Sequence, residues 1–286
     1  MDAELMHDIY TQKLTSEEFG IIQTYIQEKC GIRLPLTKKD MVEGRIRKRL
    51  KALNLSTYGE YIALVFDSAN PDADREQLNL IDTITTNKTD FFREPNHFEF
   101  LTQKVLPALE KQGYGMENTL NVWSSACSTG EEPYTLAMVL AEYFGVKGNF
   151  RVYASDISYS VLERATKAVY TEEKALGIPH ELKKKYLLRS KDQTSGLVRI
   201  RPELRQKVSF GRLNLMNDNY NLPVEMNVVF CRNVIIYFNH QTQYEIIGKI
   251  CHYMLKGACL FLGHSESIHG MDLPLSTMAP TVFYRI

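Results

Sequence analysis

The sequence predicts an α/β protein: a mostly parallel sheet with helices on both faces, preceded by a helical domain. Three observations carry this. Residues 1 to about 80 place apolar side chains at helical spacing with no strand run. From about residue 118, short apolar strands alternate with helical segments, the rhythm of a parallel sheet. Between 170 and 207 that rhythm lapses and a period-two pattern takes its place.

The helical part opens at Thr15 and Glu18, a capping-box pair ahead of Phe19, Ile22, Tyr25 and Ile26, and the stripe ends at Gly31. Thr37 heads a second helix through Leu53, Thr57 with Glu60 a third, and residues 72–84 form a fourth. Strands are expected at 118–124, 150–155, 208–214, 227–231, 258–262 and 281–285, with helices at 131–144 and from about Ser158. In 196–201, Val198 and Ile200 alternate with Arg199 and Arg201, which suits an exposed antiparallel strand in an insertion at about 170–207. The resulting division is 1–80 helical, 81–95 linker contributing to the ligand site, and 96–286 α/β with its insertion.

Composition narrows the function. The 286 residues are 44% hydrophobic and 24% charged, an ordinary globular balance. Basic and acidic residues number 34 each, so net charge argues for neither nucleic acid nor membrane. Five cysteines, Cys30, Cys127, Cys231, Cys251 and Cys259, are odd in number and lack CxxC spacing. That fits free thiols in a reducing compartment. The start MDAELMHDIY has no signal pattern, and the longest apolar runs fall far short of the roughly 20 residues that span a bilayer. A cytoplasmic protein without membrane insertion is expected.

The turn SSACSTGEEP, 124–133, follows the first strand and opens a helix, the place where open α/β sheets bind ligands. It is not a dinucleotide fingerprint, because GxGxxG is absent. Glu131 and Glu132 stand where a pyrophosphate would sit, repelling phosphate and suiting a cation, or serve only as first-turn acids. Asp156 ends the second strand in VYASDIS, positioned to accept ribose hydroxyls or to cap the next helix. Together the acids suggest a nucleoside carrying positive charge, a description that S-adenosylmethionine fits. The linker TTNKTDFFREP is dense in polar groups beside Phe91, Phe92 and Arg93, and NVVFCRNVIIYF ends a buried strand in Arg232 and Asn233 and runs on to Tyr237. Helix 37–53 concentrates seven bases against two acids within residues 38–51, with Arg45, Arg47, Lys48 and Lys51 away from its apolar face. This is a solvated face or a dock for an acidic macromolecule. No second histidine stands at ligand spacing from His264, so no metal is inferred.

TTNKTDFFRE, VWSSACSTGEEPYTLAM, VYASDIS, LNLM, VVFCRNVIIYF and FLGHSES, in this order, resemble the CheR-type chemotaxis receptor methyltransferases from about residue 15 to the C-terminus. The resemblance implies a helical domain, a class I S-adenosylmethionine-dependent methyltransferase domain and a small antiparallel β-subdomain. It implies methyl transfer to glutamate side chains of chemoreceptors, with S-adenosylhomocysteine as product. By position it assigns cofactor contacts to Asn87, Thr89, Arg93, Glu132 (in preference to Glu131), Asp156, Asn214, Leu215, Arg232 and Asn233, and catalysis to Arg93 and Tyr237. It further implies a monomer that docks on the cytoplasmic helical bundle of transmembrane receptors. In some members the β-subdomain grips a receptor C-terminal peptide; here the loop 189–196 resembles theirs, and segment 197–201 is expected to offer an edge. The alternative is that the insertion only covers the sheet.

A carboxylate nucleophile is ionised at neutral pH, so the lack of a His or Cys catalytic constellation suits this chemistry. A non-catalytic adaptor is disfavoured by intact Arg93, Asp156, Arg232 and Tyr237. A nucleic-acid methyltransferase is disfavoured by neutral charge and the lack of an aromatic–proline tetrapeptide, and a nicotinamide oxidoreductase by the missing GxGxxG.

Overall fold

A computed structural model describes residues 12–67 and 69–286; the segment MDAELMHDIY lies outside them. The chain divides into two units, one holding the described residues up to Thr86 with Tyr237–Asn239, the other Asn87–Ile236 with His240–Ile286.

The first unit is helical, with α1 (Ser16–Cys30), α2 (Lys39–Leu53), α3 (Tyr58–Phe66) and α4 (Ala73–Ile84). Thr15–Glu18 and Thr57–Glu60 both close as reciprocal capping boxes, as the sequence predicts. Gly31 ends α1 in the left-handed region at φ 71°. Phe19, Ile22 and Ile26 of α1 are buried, as are Val42, Ile46 and Leu50 of α2.

One part of the charge pattern on α2 needs correction. Arg45 is not a free surface base: its Nη1 donates to the carbonyls of Ile84 (2.6 Å) and Thr85 (2.8 Å), closing the C-terminus of α4. Arg47 donates to Glu43 at 2.7 Å, and Arg49 grips buried Glu76 with two bonds of 2.5 Å. Lys48 is exposed and Lys51 half-buried. A helical-wheel reading assigns long cations to solvent, whereas orphan helix carbonyls and buried carboxylates draw three of them inward.

The second unit begins with α5 (Asn96–Phe100), which passes through a π turn at Leu101–Val105 into α6 (Leu106–Glu110). This helical stretch has no counterpart in the sequence expectations. The strands are β1 (Leu120–Ser124), β2 (Phe150–Asp156), β6 (Val208–Arg212), β7 (Met226–Cys231), β8 (Met254–Leu262), β9 (Leu275–Ala279) and β10 (Val282–Arg285), in spatial order β6-β2-β1-β7-β8-β10-β9. β6, β2, β1, β7 and β8 pair in parallel, while β10 and β9 run antiparallel at one edge. β9 is the strand that the sequence did not disclose. Helices α7 (Glu131–Phe144), α8 (Tyr159–Lys167) and α11 (His240–His252) connect the strands. β7 is buried at every position, as a central parallel strand must be. Trp123 is fully buried, and its indole N–H finds Ser155 Oγ at 3.0 Å. Because the order reverses between β1 and β7, their carboxyl ends flank a crevice.

The insertion is a second, three-stranded sheet, β3 (Val169–Thr171), β4 (Leu187–Arg189) and β5 (Leu197–Ile200), in the order β3-β5-β4 and antiparallel throughout. Short helix α9 (His180–Tyr186) lies between β3 and β4, and α10 (Pro202–Arg205) follows β5. The alternating segment is therefore central rather than an edge. Val198 and Ile200 are buried, and Arg199 Nε donates to the Lys167 carbonyl at the end of α8. The free edges of this sheet are β3 and β4. Alternation with polar partners is read equally by an edge strand and by the middle of a one-sided sheet, which is why the pattern misled.

Glu76, which also accepts from Asn79 at 2.9 Å, opposes its burial with these bonds, and its pKa lies below the ordinary carboxylate value. A folded-state pKa below the unfolded one stabilises above the unfolded value, and that gain is lost as pH falls through it. Glu76→Ala should therefore cost about 2–3 kcal/mol at neutral pH in thermal unfolding of the full chain. Its stability should also fall less than wild type as pH drops from about 5 through the folded-state pKa.

Candidate functional site

Three strand ends meet at the switch point: Ser124 of β1, Asp156 of β2, and Arg232 directly after β7. The turn between β1 and α7 is stitched to both neighbours. Ser125 N–H donates to Phe230 O and Cys127 N–H to Ser155 O, each at 2.9 Å. Gly130, at φ 95°, ends the turn where any Cβ would lie 2.9 Å from Ala165 Cβ and from the Tyr170 hydroxyl. Its glycine is therefore needed for packing on α8.

Asp156 uses both carboxylate oxygens on backbone. Oδ2 accepts Ser128 N–H at 2.8 Å and Oδ1 accepts Ser158 N–H at 3.0 Å. Ser158, not Asp156, caps α8. Ser128 in turn donates its hydroxyl to Asn87 O at 2.9 Å, and buried Thr89 follows two residues on. Asp156 O accepts Leu213 N–H at 2.9 Å, which sets Asn214 and Leu215 beside the same strand end. Leu215 is buried, and Asn214 Oδ1 accepts Met216 N–H at 3.0 Å.

Arg232 is the centre of a second group. Its side chain is only 2% exposed. Nη1 donates to Glu132 Oε2 at 3.1 Å, Nη2 to Glu94 Oε2 at 2.9 Å and to Arg93 O at 2.5 Å, and Nε to Glu94 Oε2 at 3.3 Å. Glu132 also accepts the Ser124 hydroxyl at 2.7 Å. Burial lifts the Glu132 carboxyl above its ordinary range despite Arg232. At Glu94 burial pushes the same way, but Arg232 and Asn233 outweigh it and the pKa falls. Arg93, by contrast, spends one Nη1 donor on Lys88 O at 3.0 Å.

Asn233 adopts φ 56° and donates to Glu94 Oε1 at 3.2 Å. That left-handed step is held by Glu266, whose buried carboxylate accepts four N–H groups: Gly263 at 2.6 Å and Asn233, Val234 and Ile235 each at 2.8 Å. Sequence reasoning missed Glu266 and Glu94; the signal was an acid inside each of two motif blocks, HSES and FFRE. Tyr237 groups with the helical unit, where its carbonyl accepts Arg33 N–H at 2.9 Å.

The small sheet reaches the site through Lys174. Its ammonium donates to Thr89 O and to Asp90 Oδ1 (2.8 Å) and lies 3.8 Å from Glu131 Oε1. Glu131 is buried, accepts the Thr129 hydroxyl at 2.6 Å, and has its pKa raised by burial. Gly177 packs so closely that an added Cβ would stand 2.7 Å from Phe91 O. Neither contact figures in the sequence expectations.

The fold and its acid-lined switch point define a nucleotide-class site suited to a cationic nucleoside. Comparison with known families makes this specific. The profile described as CheR methyltransferase, SAM binding domain matches residues 87–283, and that described as CheR methyltransferase, all-alpha domain matches 17–85. The chain belongs to the CheR methyltransferase family, and S-adenosylmethionine is its cofactor. It is 36% identical over 261 residues to the chemotaxis protein methyltransferase of Borreliella burgdorferi, covering 90% of each chain. It is 36% identical to that of Escherichia coli K12 over 94% of this chain and 91% of the relative. For Salmonella typhimurium LT2 the figures are 37%, 94% and 90%. The protein is an S-adenosylmethionine-dependent methyltransferase of chemotaxis. Among the described residues no helix is long and apolar enough to cross a membrane.

Two sets of variants test the supports of the site. Glu266→Gln offers one carbonyl oxygen where four N–H groups now bond, so stability should drop by about 2–4 kcal/mol and S-adenosylmethionine affinity should fall with it. Gly177→Ala and Lys174→Met should each weaken cofactor binding in calorimetry by about tenfold, or 1.4 kcal/mol, with Lys174→Arg partly restoring it. Wild-type affinity in both would disconnect the small sheet from the site.

Proposed function

We propose that the protein transfers the methyl group of S-adenosylmethionine to glutamate carboxylates on the cytoplasmic helical bundle of chemoreceptors, forming methyl esters. The observation that carries this reading is the pairing of an acid-rich strand-end site with an arginine, Arg93, that keeps most of its donors for an incoming anion. The name of the relatives, chemotaxis protein methyltransferase, supports a role in chemotaxis.

S-adenosylmethionine, when bound, supplies an electrophilic methyl on a sulfonium. Asp156, oriented by the Ser128 and Ser158 N–H groups, accepts from the ribose hydroxyls. Asn87 and Thr89 line the linker side, and Asn214 and Leu215 the far side of β2. Glu132 contributes negative charge, which Arg232 fixes in place, while Asn233 beside it donates to Glu94. Arg93 orients the substrate carboxylate, and Tyr237 is assigned a catalytic role on the family resemblance. The attacking glutamate, with pKa about 4.3, is already ionised, so no general base is required. Opposite charges cancel as the new bond forms, so exclusion of water and alignment lower the barrier.

The test is incubation with methyl-labelled S-adenosylmethionine and receptor-containing membranes, followed by alkali. Base-labile label on receptor is expected, and alkali-stable label would overturn the glutamate ester reading. Asp156→Ala should lose at least about tenfold in cofactor affinity. Arg93→Ala and Tyr237→Phe should lower turnover more than cofactor binding. Docking is proposed on the exposed part of α2: Lys48→Glu should raise the receptor KM at low salt and flatten its salt dependence, whereas Arg45→Glu should cost stability instead. A receptor tail that adds as a strand to the small sheet would take the free edge of β3 or β4.

A further inference from the structure

Glu94 has a second set of neighbours that methyl transfer does not use. His97, on α5, is buried, with a side chain only 4% exposed. Its Nε2 lies 2.9 Å from Thr281 Oγ1, and that hydroxyl donates its single proton to Pro280 O at 2.7 Å. With the hydroxyl proton so placed, Nε2 is the protonated nitrogen donating to Thr281, and Nδ1 carries the lone pair. Nδ1 has no hydrogen-bond partner. It faces Glu94 Oε2 at 3.5 Å, so two acceptors confront each other in a buried place.

The third member comes from the loop after β8. His264 Nε2 lies 4.0 Å from the same Glu94 oxygen, and its ring meets that of His97 at 5.0 Å between centroids and 79° between planes. The three ligand atoms all fall within 4.8 Å of one another. A tetrahedral zinc ion with bonds of about 2.0–2.1 Å holds its ligands about 3.3–3.4 Å apart. The Glu94–His97 pair already approaches that spacing, and His264, about half exposed, is able to swing the remaining distance and leaves a fourth position open to water. Two imidazoles and a carboxylate form a borderline-soft set that favours zinc-class ions over calcium or magnesium.

We propose that Glu94, His97 and His264 form a binding site for a divalent cation of the zinc class, and that its occupation lowers methyl transfer. The link to activity is Glu94 itself. The oxygen that would coordinate the ion is the one that accepts two bonds from Arg232, so a bound ion competes for the carboxylate that anchors Arg232. The ion fills the gap between the facing acceptors. The thiols are poor competitors, because all five cysteines are free and buried, and burial raises the pKa of Cys127, Cys231, Cys251 and Cys259.

The test is titration of the full chain with zinc against a chromophoric chelator, with X-ray absorption of the complex. One equivalent should bind with nitrogen and oxygen ligands and no sulfur. His264→Ala and His264→Gln should each weaken binding more than about tenfold, whereas replacing the exposed His252 by Ala should not. Zinc should slow methyl transfer in wild type and not in His264→Ala, each measured against its own metal-free rate. Failure to bind one equivalent, sulfur in the ligand shell, or unchanged affinity in both His264 variants overturns the site. Nitrogen-15 shifts placing the metal-free His97 proton on Nδ1 overturn the lone-pair argument. Binding without inhibition overturns the regulatory half. The binding measurements do not depend on the receptor substrate, so their failure leaves the proposed function standing.

Discussion

Arg232 is a guanidinium taken almost wholly out of water and tied to two carboxylates and a carbonyl. Burying such a charge is costly, and only complete pairing with good geometry recovers that cost. Pairing here fixes three separate pieces of chain: the linker at Arg93 and Glu94, the start of α7 at Glu132, and the strand end of β7. None of these can relax alone without stranding a buried charge. The carboxylates that flank the switch point are thus held by a cation contributed from within the protein, and their geometry is set before any ligand arrives.

Glu266 performs the same service for the backbone. The chain leaving β7 must turn through a left-handed residue, Asn233, to carry its side chain to Glu94. Four N–H donors around one buried carboxylate make that turn rigid. Arg232 and Glu266 form a nested support, one ordering side chains and the other the peptide path beneath them. Burial raises the pKa of both Glu132 and Glu266.

Features with local signatures were legible in the sequence. Capping boxes at Thr15 and Thr57, the alternation of strand and helix, and Asp156 at a strand end are written in spacing and turn chemistry. What escaped was settled by distant partners. Arg45 reads as a surface base until the carbonyls at the end of α4 come within reach. Segment 197–201 reads as an edge until β3 and β4 close on both sides. β9 sets Ser276, Thr277 and Ala279 around Met278 and declares itself only by pairing with β10. Glu94 and Glu266 sit inside recognisable blocks, yet their partners lie 138 and up to 33 residues away in sequence. Spacing cannot report such pairings.

The contact of Gly177 with the Phe91 carbonyl has a consequence for how this protein could be re-engineered. A three-stranded insertion with its own small sheet invites treatment as a cassette, to be exchanged so that the enzyme recognises a different partner. Gly177 and Lys174 make it instead a wedge behind the 89–91 segment, flush to within a single methyl group. A graft cut at the strand boundaries β3 and β5 would carry a foreign wedge along with the new sheet. Any exchange that aims to alter partner choice alone must leave residues 174–177 native and begin beyond them.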